Sequence, residues 1–267
     1  MRFAIVYSKK NPASMNIVKQ LKKHFLPQVL FIDTEKETIF FDISQKNFPM
    51  LKTVDFLVFA CTHRSEKKFP SLSLHAPGNW RNADLGGHAG KLCMTSAIVM
   101  KYLFQQLNKI AGENPEIKEK YSITLEVTHH GPLTEIPCCF IEIGSGEEQW
   151  NDEKAGEVIA KTILTLQNFE PNKQNWIPTI GIGGPHYAPN FNKIQLNSEY
   201  AIGHIIPEYS LPLTESMLKE AEAKTSEQIK EILIDWKGCG KSEQRNEIVN
   251  LLEKMNLKHK RTGNVEK

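Results

Sequence analysis

Nine histidines occur in this 267-residue chain. Seven of them, His63, His75, His88, His129, His130, His186 and His204, fall at the ends of strand-like segments or in Gly/Pro-rich loops rather than inside apolar periods. An imidazole near neutral pH can move a proton, or as the neutral base it can hold a metal. Five segments collect these residues: Thr62-His63-Arg64-Ser65, the run from Ser71 to Leu92 with its Gly86-Gly87-His88 turn, Glu126 to Pro132, Gly183 to Pro189, and Gly203-His204, with Glu142 to Glu148 at another strand end. One such histidine is an ordinary structural residue; several Gly/His loops in one chain point to a shared site. Asp84, Glu126 or Glu142 could complete a metal shell or orient an imidazole from behind. HExxH is absent and the spacings match no standard zinc signature, so proton transfer and metal ligation both stay open.

The elements that must position these loops alternate between strand and helix. Phe3–Tyr7 and Asp55–Cys61 read as buried strands. Asn11-Pro12 caps a helix with Ile17, Leu21 and Phe25 on one stripe and Lys19, Lys22 and Lys23 largely off it. Val29–Ile32 and Thr38–Ile43 are expected to be a strand pair, and residues 92–110 a long helix. Tyr121–Thr128, Cys138–Gly144, Ile177–Ile182 and Tyr200–Ile206 read as strands, with a helix over Asp152–Phe169 behind an Asn151 cap. From Thr214 on the chain is helix-rich, apart from a strand at Ile232–Asp235. The stretch 71–91 reads as one long irregular loop, with a helix starting near Lys91 whose free N–H groups face an anion.

This alternation predicts a layered α/β/α fold with a largely parallel or mixed central sheet. Residues 1–257 are expected to be a single catalytic unit and 258–267 a frayed basic tail. Polar loops beyond consecutive strand ends are where open α/β sheets place their sites.

Composition excludes several classes. Hydrophobic residues at 40% and charged residues at 24% exclude a disordered chain, and no apolar run is long enough to span a bilayer. The first residues read at once as a core strand rather than a leader, so a cytoplasmic protein is expected. Five cysteines without a CxxC pair do not make a disulfide framework, and Cys138 and Cys139 are adjacent and so face opposite ways in a strand. Gly240-Lys241-Ser242 imitates a P-loop, but Asp235 stands where the motif needs glycine. Gly144-Ser145-Gly146 lacks the GxSxG frame of a nucleophile elbow. The formal charge of +2 conceals a basic start: Arg2, Lys9, Lys10, Lys19, Lys22 and Lys23 precede any acidic residue, and Lys258, Lys260 and Arg261 lie near the end.

Ser73-Leu74-His75-Ala76-Pro77-Gly78-Asn79-Trp80, the Gly86-Gly87-His88 turn, Glu126 to Pro132, Glu142-Ile143-Gly144-Ser145, Gly183 to Tyr187 and Tyr200 to His204 together resemble the D-aminoacyl-tRNA deacylases of the archaeal and plant type. The resemblance runs over nearly the whole chain and is less distinctive beyond Pro207. It implies hydrolysis of the ester between a D-amino acid and the terminal ribose of tRNA, zinc dependence, and a fold akin to peptidyl-tRNA hydrolases and nucleoside phosphorylases. It also implies the acceptor end of an aminoacylated tRNA as partner, with no membrane or DNA contact, and the chain is expected to be a monomer. Under it, two or more of His75, His88, His130 and His186 activate water, directly or through zinc. The candidate metal ligands are His63, Asp84, His88, Glu126, His129, His130, Glu142 and His204. Lys9, Lys10, Lys19, Lys22 and Lys23 would meet tRNA phosphates, and the loops at Gly87 and Gly184 would offer backbone donors. A metal-dependent amidase or nucleoside-type hydrolase acting on small molecules, and a non-catalytic tRNA-binding module, are the competing expectations.

Overall fold

A strand with apolar side chains on both faces needs cover on both sides, and Phe3–Tyr7 finds it inside a sheet. The computed structural model describes residues 1–24, 26–65 and 69–266. Phe25 and Lys267, one expected on the helix stripe and the other in the tail, lie outside the described residues. The first sheet holds β1 (Phe3–Ser8), β2 (Leu30–Thr34), β3 (Phe56–Arg64), β4 (Ser71–His75), β5 (Ser122–Leu125) and β6 (Cys138–Ser145), in the order β2-β1-β3-β6-β4-β5. It is mixed: β4 runs antiparallel to β6, and β5 runs parallel to β4. A second sheet, wholly parallel, holds β7 (Ile177–Ile182), β8 (Tyr200–Ile206), β9 (Glu231–Ile234) and β10 (His259–Arg261) in the order β10-β9-β7-β8.

Helices α1 (Pro12–Leu21), α2 (Ala97–Gly112) and α5 (Glu153–Leu164) cover one face of the first sheet, and α2 also packs on β8, so it joins the two sheets in one apolar cluster. The short α3 (Pro115–Lys120) and α4 (Glu147–Trp150) precede β5 and follow β6. The other face is covered by irregular chain that buries Ile43, Leu51, Cys93 and Ile136 against Phe59 and Phe140. Helices α6 (Pro189–Asn197), α7 (Glu215–Ala223) and α8 (Ser242–Lys254) accompany the second sheet. Among the described residues no helix is long and apolar enough to cross a membrane.

The layered α/β architecture with a mixed sheet is the one expected; the division into two sheets is new. Four local expectations are corrected. Ser71–His75 is a strand, because Ser-Leu-Ser-Leu-His alternates and its leucines fill the helical side. Thr38–Ile43 forms no strand: Thr38–Phe40 is a 3₁₀ turn, and the segment crosses the sheet to bury Ile43 instead of extending an edge. The long helix starts at Ala97 rather than near Lys91, capped by Ser96. Its N-terminal amides are already taken by Glu227, which accepts from Ala97 N at 2.9 Å, so the expected anion site is filled from within. The tail is not frayed at its start, since β10 pairs with the open edge of β9 and Ile232 N donates to Lys258 O at 2.8 Å.

Lys101 of α2 is fully buried where α2 meets α6, and its ammonium donates to Gln195 O at 2.6 Å. Burial pushes it down to about 8 from the ordinary 10.5. A lysine with a lowered folded value carries its whole cost below about 8 and loses it as pH rises towards 10.5. Lys101→Met is therefore expected to melt higher relative to wild type at pH 7 than at pH 10. A melting difference independent of pH would contradict the buried charge.

Candidate active site

Alternation along four neighbouring strands fixes one face of the first sheet. In register, His63, Gly144, Ser71 and Ser122 form one row across it, and Cys61, Glu142, Ser73 and Thr124 the next. Phe59, Phe140 and His75 make a third, in which the Phe59 and Phe140 rings stack at 4.7 Å. The intervening residues, Val58, Ala60, Leu72, Leu74, Ile141 and Ile143, fill the helical core on the opposite face. The sheet is thus apolar on one side and carries an acid–histidine cluster on the other. Gly144 is required between His63 and Ser71: a Cβ there would lie 2.6 Å from Ser71 Oγ and 2.9 Å from His63 Cδ2.

Beyond β5 the chain leaves the first sheet for the second. Glu126 N bonds Leu74 O at 3.1 Å, Val127 N bonds His186 O at 2.9 Å, and Thr128 N bonds Ile205 O at 3.1 Å. Glu126 therefore sits on the seam, with His186 arriving from the loop after β7 and His129 and His130 following in sequence. His130 is held at φ +47 with Gly78 N donating to its carbonyl at 2.7 Å. A non-glycine residue keeps such a conformation only where its surroundings impose it.

The Glu126 carboxylate is fully buried. His186 Nε2 stands 2.8 Å and His129 Nε2 3.5 Å from Oε2, and His63 Nδ1 3.1 Å from Oε1. Glu142 approaches His63 Nδ1 at 3.5 Å and His75 Nε2 at 3.8 Å. Burial works against a charge on Glu126, but the hydrogen bonds to His186 and His63 hold its carboxyl well below the usual range; Glu142 is lowered for the same reason by His63 and His75. Burial also opposes a charge on His63, yet Glu126 and Glu142 outweigh it and raise this histidine to about 11. On the far side of its ring, His63 Nε2 meets the Tyr187 hydroxyl at 2.8 Å.

A second group faces the first. His75, His129 and His130 each turn Nδ1 to a backbone carbonyl, of Ala76 at 3.2 Å, Val127 at 2.8 Å and Gly131 at 2.6 Å. A carbonyl only accepts, so each Nδ1 carries the proton and, in the neutral ring, Nε2 presents a lone pair. The three ligating nitrogens lie within 4.8 Å of one another. His75 Nε2 is buried with no hydrogen-bond partner among the described residues. Burial lowers His129 well below its ordinary value and His130 to about 4, favouring the neutral base a metal needs. Burial opposes a charge on His75 as well, but Glu142 outweighs it and raises this histidine above its ordinary value.

The remaining candidates lie elsewhere. His88 is exposed, its Nε2 3.8 Å from Asp42, and Asp84 is exposed on the same loop. His204 is fully buried with both nitrogens spent, one on Thr128 Oγ1 and the other on Lys224 O, each at 3.1 Å. Gly87 packs on Asn79 and Gly131, and Gly184 N donates to Gly238 O at 2.9 Å. Lys9 and Lys10 stand at the carboxyl end of β1, the end that carries His63, with Lys9 on Asp33 at 2.5 Å. α1 crosses back between parallel strands and carries Lys19, Lys22 and Lys23 away from that end; Lys19 pairs with Glu153 at 2.5 Å, and Lys22 lies over the rings of Tyr7 and Phe31. Three contributors were missed from the sequence. Tyr187 carries no local signal beyond its neighbour His186, whereas the Ser71 and Ser73 hydroxyls, buried on the site face, were visible in the Ser-Leu-Ser-Leu-His alternation.

Comparison with known proteins gives a consistent result. A family model described as D-aminoacyl-tRNA deacylase matches residues 50–260. The chain is 33% identical to the D-aminoacyl-tRNA deacylase of Pyrococcus abyssi over 273 residues, covering 95% of this chain and 97% of that one. It is 32% identical to the D-aminoacyl-tRNA deacylase of Methanocaldococcus jannaschii over 255 residues, covering 93% and 95%. A crystal structure described as a conserved protein of unknown function superposes with a TM-score of 0.86 at 27% identity, covering 99% of this chain and 96% of that chain. On these matches the chain belongs to the D-aminoacyl-tRNA deacylase family.

Proposed function

We propose that this protein hydrolyses the ester of D-aminoacyl-tRNA, releasing the D-amino acid and a reusable tRNA, and so keeps D-residues out of translation in the cytoplasm. One observation carries the chemistry: a fully buried Glu126 carboxylate shared by His63 and His186, beside three imidazoles that bring one nitrogen each to within 4.8 Å of the others. Family membership supplies the substrate class.

The donor set fits a zinc ion. His75, His129 and His130 would hold it through Nε2, their opposite nitrogens already fixed on carbonyls, as ligating histidines require. When bound, zinc would act as a Lewis acid and lower the pKa of water.

The chain's own residues supply the rest of an ester hydrolysis. His186 is half-open to solvent at the mouth and is oriented by Glu126 through Nε2, which leaves Nδ1 to take a proton from water. With Nδ1 directed at two carboxylates, His63 is favoured in its charged form, and its Nε2–H then donates to the Tyr187 oxygen. The Tyr187 O–H is left free to stabilise the oxyanion or protonate the departing ribose oxygen. Burial of Glu126 keeps water from competing for these contacts.

The direct test uses matched D- and L-aminoacyl-tRNA. The D-ester should be cleaved in strong preference, and Glu126→Gln should lower turnover by about 10²–10⁴, the usual contribution of a positioned proton-transfer group. Unchanged turnover in that variant would remove Glu126 from the mechanism. Cleavage of small D-amino acid esters as fast as of the tRNA ester would favour the small-molecule hydrolase instead.

A chelator should abolish activity and added zinc restore it, with His75→Ala losing both the activity and stoichiometric zinc by elemental analysis. Full activity in the chelated, metal-free protein would exclude the metal.

Gly144→Ala should press on His63 and Ser71 and cost at least tenfold in turnover with little change in KM. Wild-type kinetics would show that the row tolerates a Cβ.

A further inference from the structure

The side chains around the second sheet include a cleft that the chemistry above does not use. It has a volume of about 530 Å³ and lies between α6 and the segment from β10 to the C-terminus, with Asn190, Lys193 and Asn197 on one wall and Trp236, Lys237 and Arg261 on the other. Lys193, Lys237 and Arg261 are exposed, and among the described residues none of the three takes part in an ion pair. The guanidinium of Arg261 lies over the Trp236 ring at 3.5 Å, which holds its planar fork in place. Two carboxylates also line the cleft. Asp235 is buried and accepts from the Asn190 amide at 3.0 Å, while Glu266 is exposed.

The cleft adjoins the active-site mouth along the chain, with Pro189 lining the mouth and Asn190 the cleft. His63, Arg64, His186, Tyr187 and Pro189 line that mouth, and Pro189 is the first residue of α6. Positions 189, 190, 193 and 197 fall on one helix face, so the wall runs from mouth to cleft over about 12 Å, roughly two phosphates of an extended strand. Amides and cations in a line suit a chain of phosphodiesters, since amides and ammonium groups both donate to phosphate oxygens and a guanidinium can do so with two bonds.

We propose that this cleft binds the phosphate backbone of the substrate's acceptor stem where it leaves the active-site mouth; the inference rests on aminoacyl-tRNA being the substrate. The basic start of the chain fills this role less well, because Lys9 and Lys19 are each held by an acidic neighbour at 2.5 Å and α1 carries Lys22 and Lys23 away from the mouth.

Lys193→Glu/Lys237→Glu and, separately, Arg261→Gln should be assayed on D-aminoacyl-tRNA and on the fragment 3′-O-D-aminoacyl-adenosine, which has no stem. On tRNA, the double variant should raise KM at least tenfold with kcat within twofold. The slope of log kcat/KM against log salt should become shallower by roughly one for each phosphate that the variant no longer neutralises. Fragment hydrolysis should be unchanged, and Lys19→Glu/Lys22→Glu should have the smaller effect on tRNA. Wild-type KM and salt slope in the cleft variants would overturn the inference, and so would an equal loss on tRNA and fragment. Failure of the wild-type protein to cleave the tRNA ester at all would instead overturn the substrate reading, so the two failures are separable.

Discussion

A carboxylate taken fully out of water is stable only if other groups replace its hydration, and Glu126 is such a carboxylate. The effective penalty for burying one ion is several kcal/mol, and removing one partner of a buried pair costs about 3–5 kcal/mol. Two histidines meet that requirement, and each comes from a different part of the chain: His63 from the end of β3 and His186 from the loop after β7. Neither of these elements can shift alone without leaving the charge short of a partner. The positions of the two sheets relative to the site follow from that single group.

The surrounding architecture reads as a consequence. A strand pattern of period two lets the first sheet be a hydrophobic wall for α1, α2 and α5 on one face and a ladder of polar side chains on the other. That ladder crosses two strand directions, since β4 runs against β6 and β5 follows β4. The reversal brings the start of β4 beside the carboxyl end of β3, so Ser71 and His63 flank Gly144 in one row although β3 and β4 run in opposite senses. Chain termini of strands, where an all-parallel sheet would put its site, are only part of this one; the Glu142 row lies within the sheet itself.

The sequence showed which residues were unusual and showed less well which of them meet. Gly/His loops are visible one by one, and His63, His75, Glu126, His129, His130, Glu142 and His186 do come together. His88, Asp84 and His204 sit in similar local contexts and lie apart, because what separates them is long-range. His204 has both ring nitrogens occupied, by Thr128 and Lys224, partners 76 and 20 residues away. His75, His129 and His130 have one occupied and one free, and the occupying carbonyls are within two residues of each. The same residue type therefore serves packing in one place and chemistry in the other according to whether the second nitrogen is spent. The strand at Ser71–His75 was legible and hidden by its serines, which look like loop residues until the alternate leucines are read as the buried face.

Charge behaved similarly. A net of +2 with an acid-free start to the chain suggests that the first helix is where a polyanion docks. Folding changes that balance, because acidic residues distant in sequence return to those lysines: Glu153 to Lys19, Asp33 to Lys9. A count along the chain registers charges and is blind to partners, and exposed pairs of this kind are worth little to stability while still cancelling the field a ligand would feel. Cations without such partners attract more strongly than those of a basic run whose Arg2, Lys9 and Lys19 are paired. Lys193, Lys237 and Arg261 are more than twenty residues apart in sequence, so no window along the chain would group them, yet they line one cleft beside the active-site mouth. For an enzyme that handles only one end of a large polyanion, such a placement holds the stem near the reacting ester and leaves the rest of the surface close to neutral.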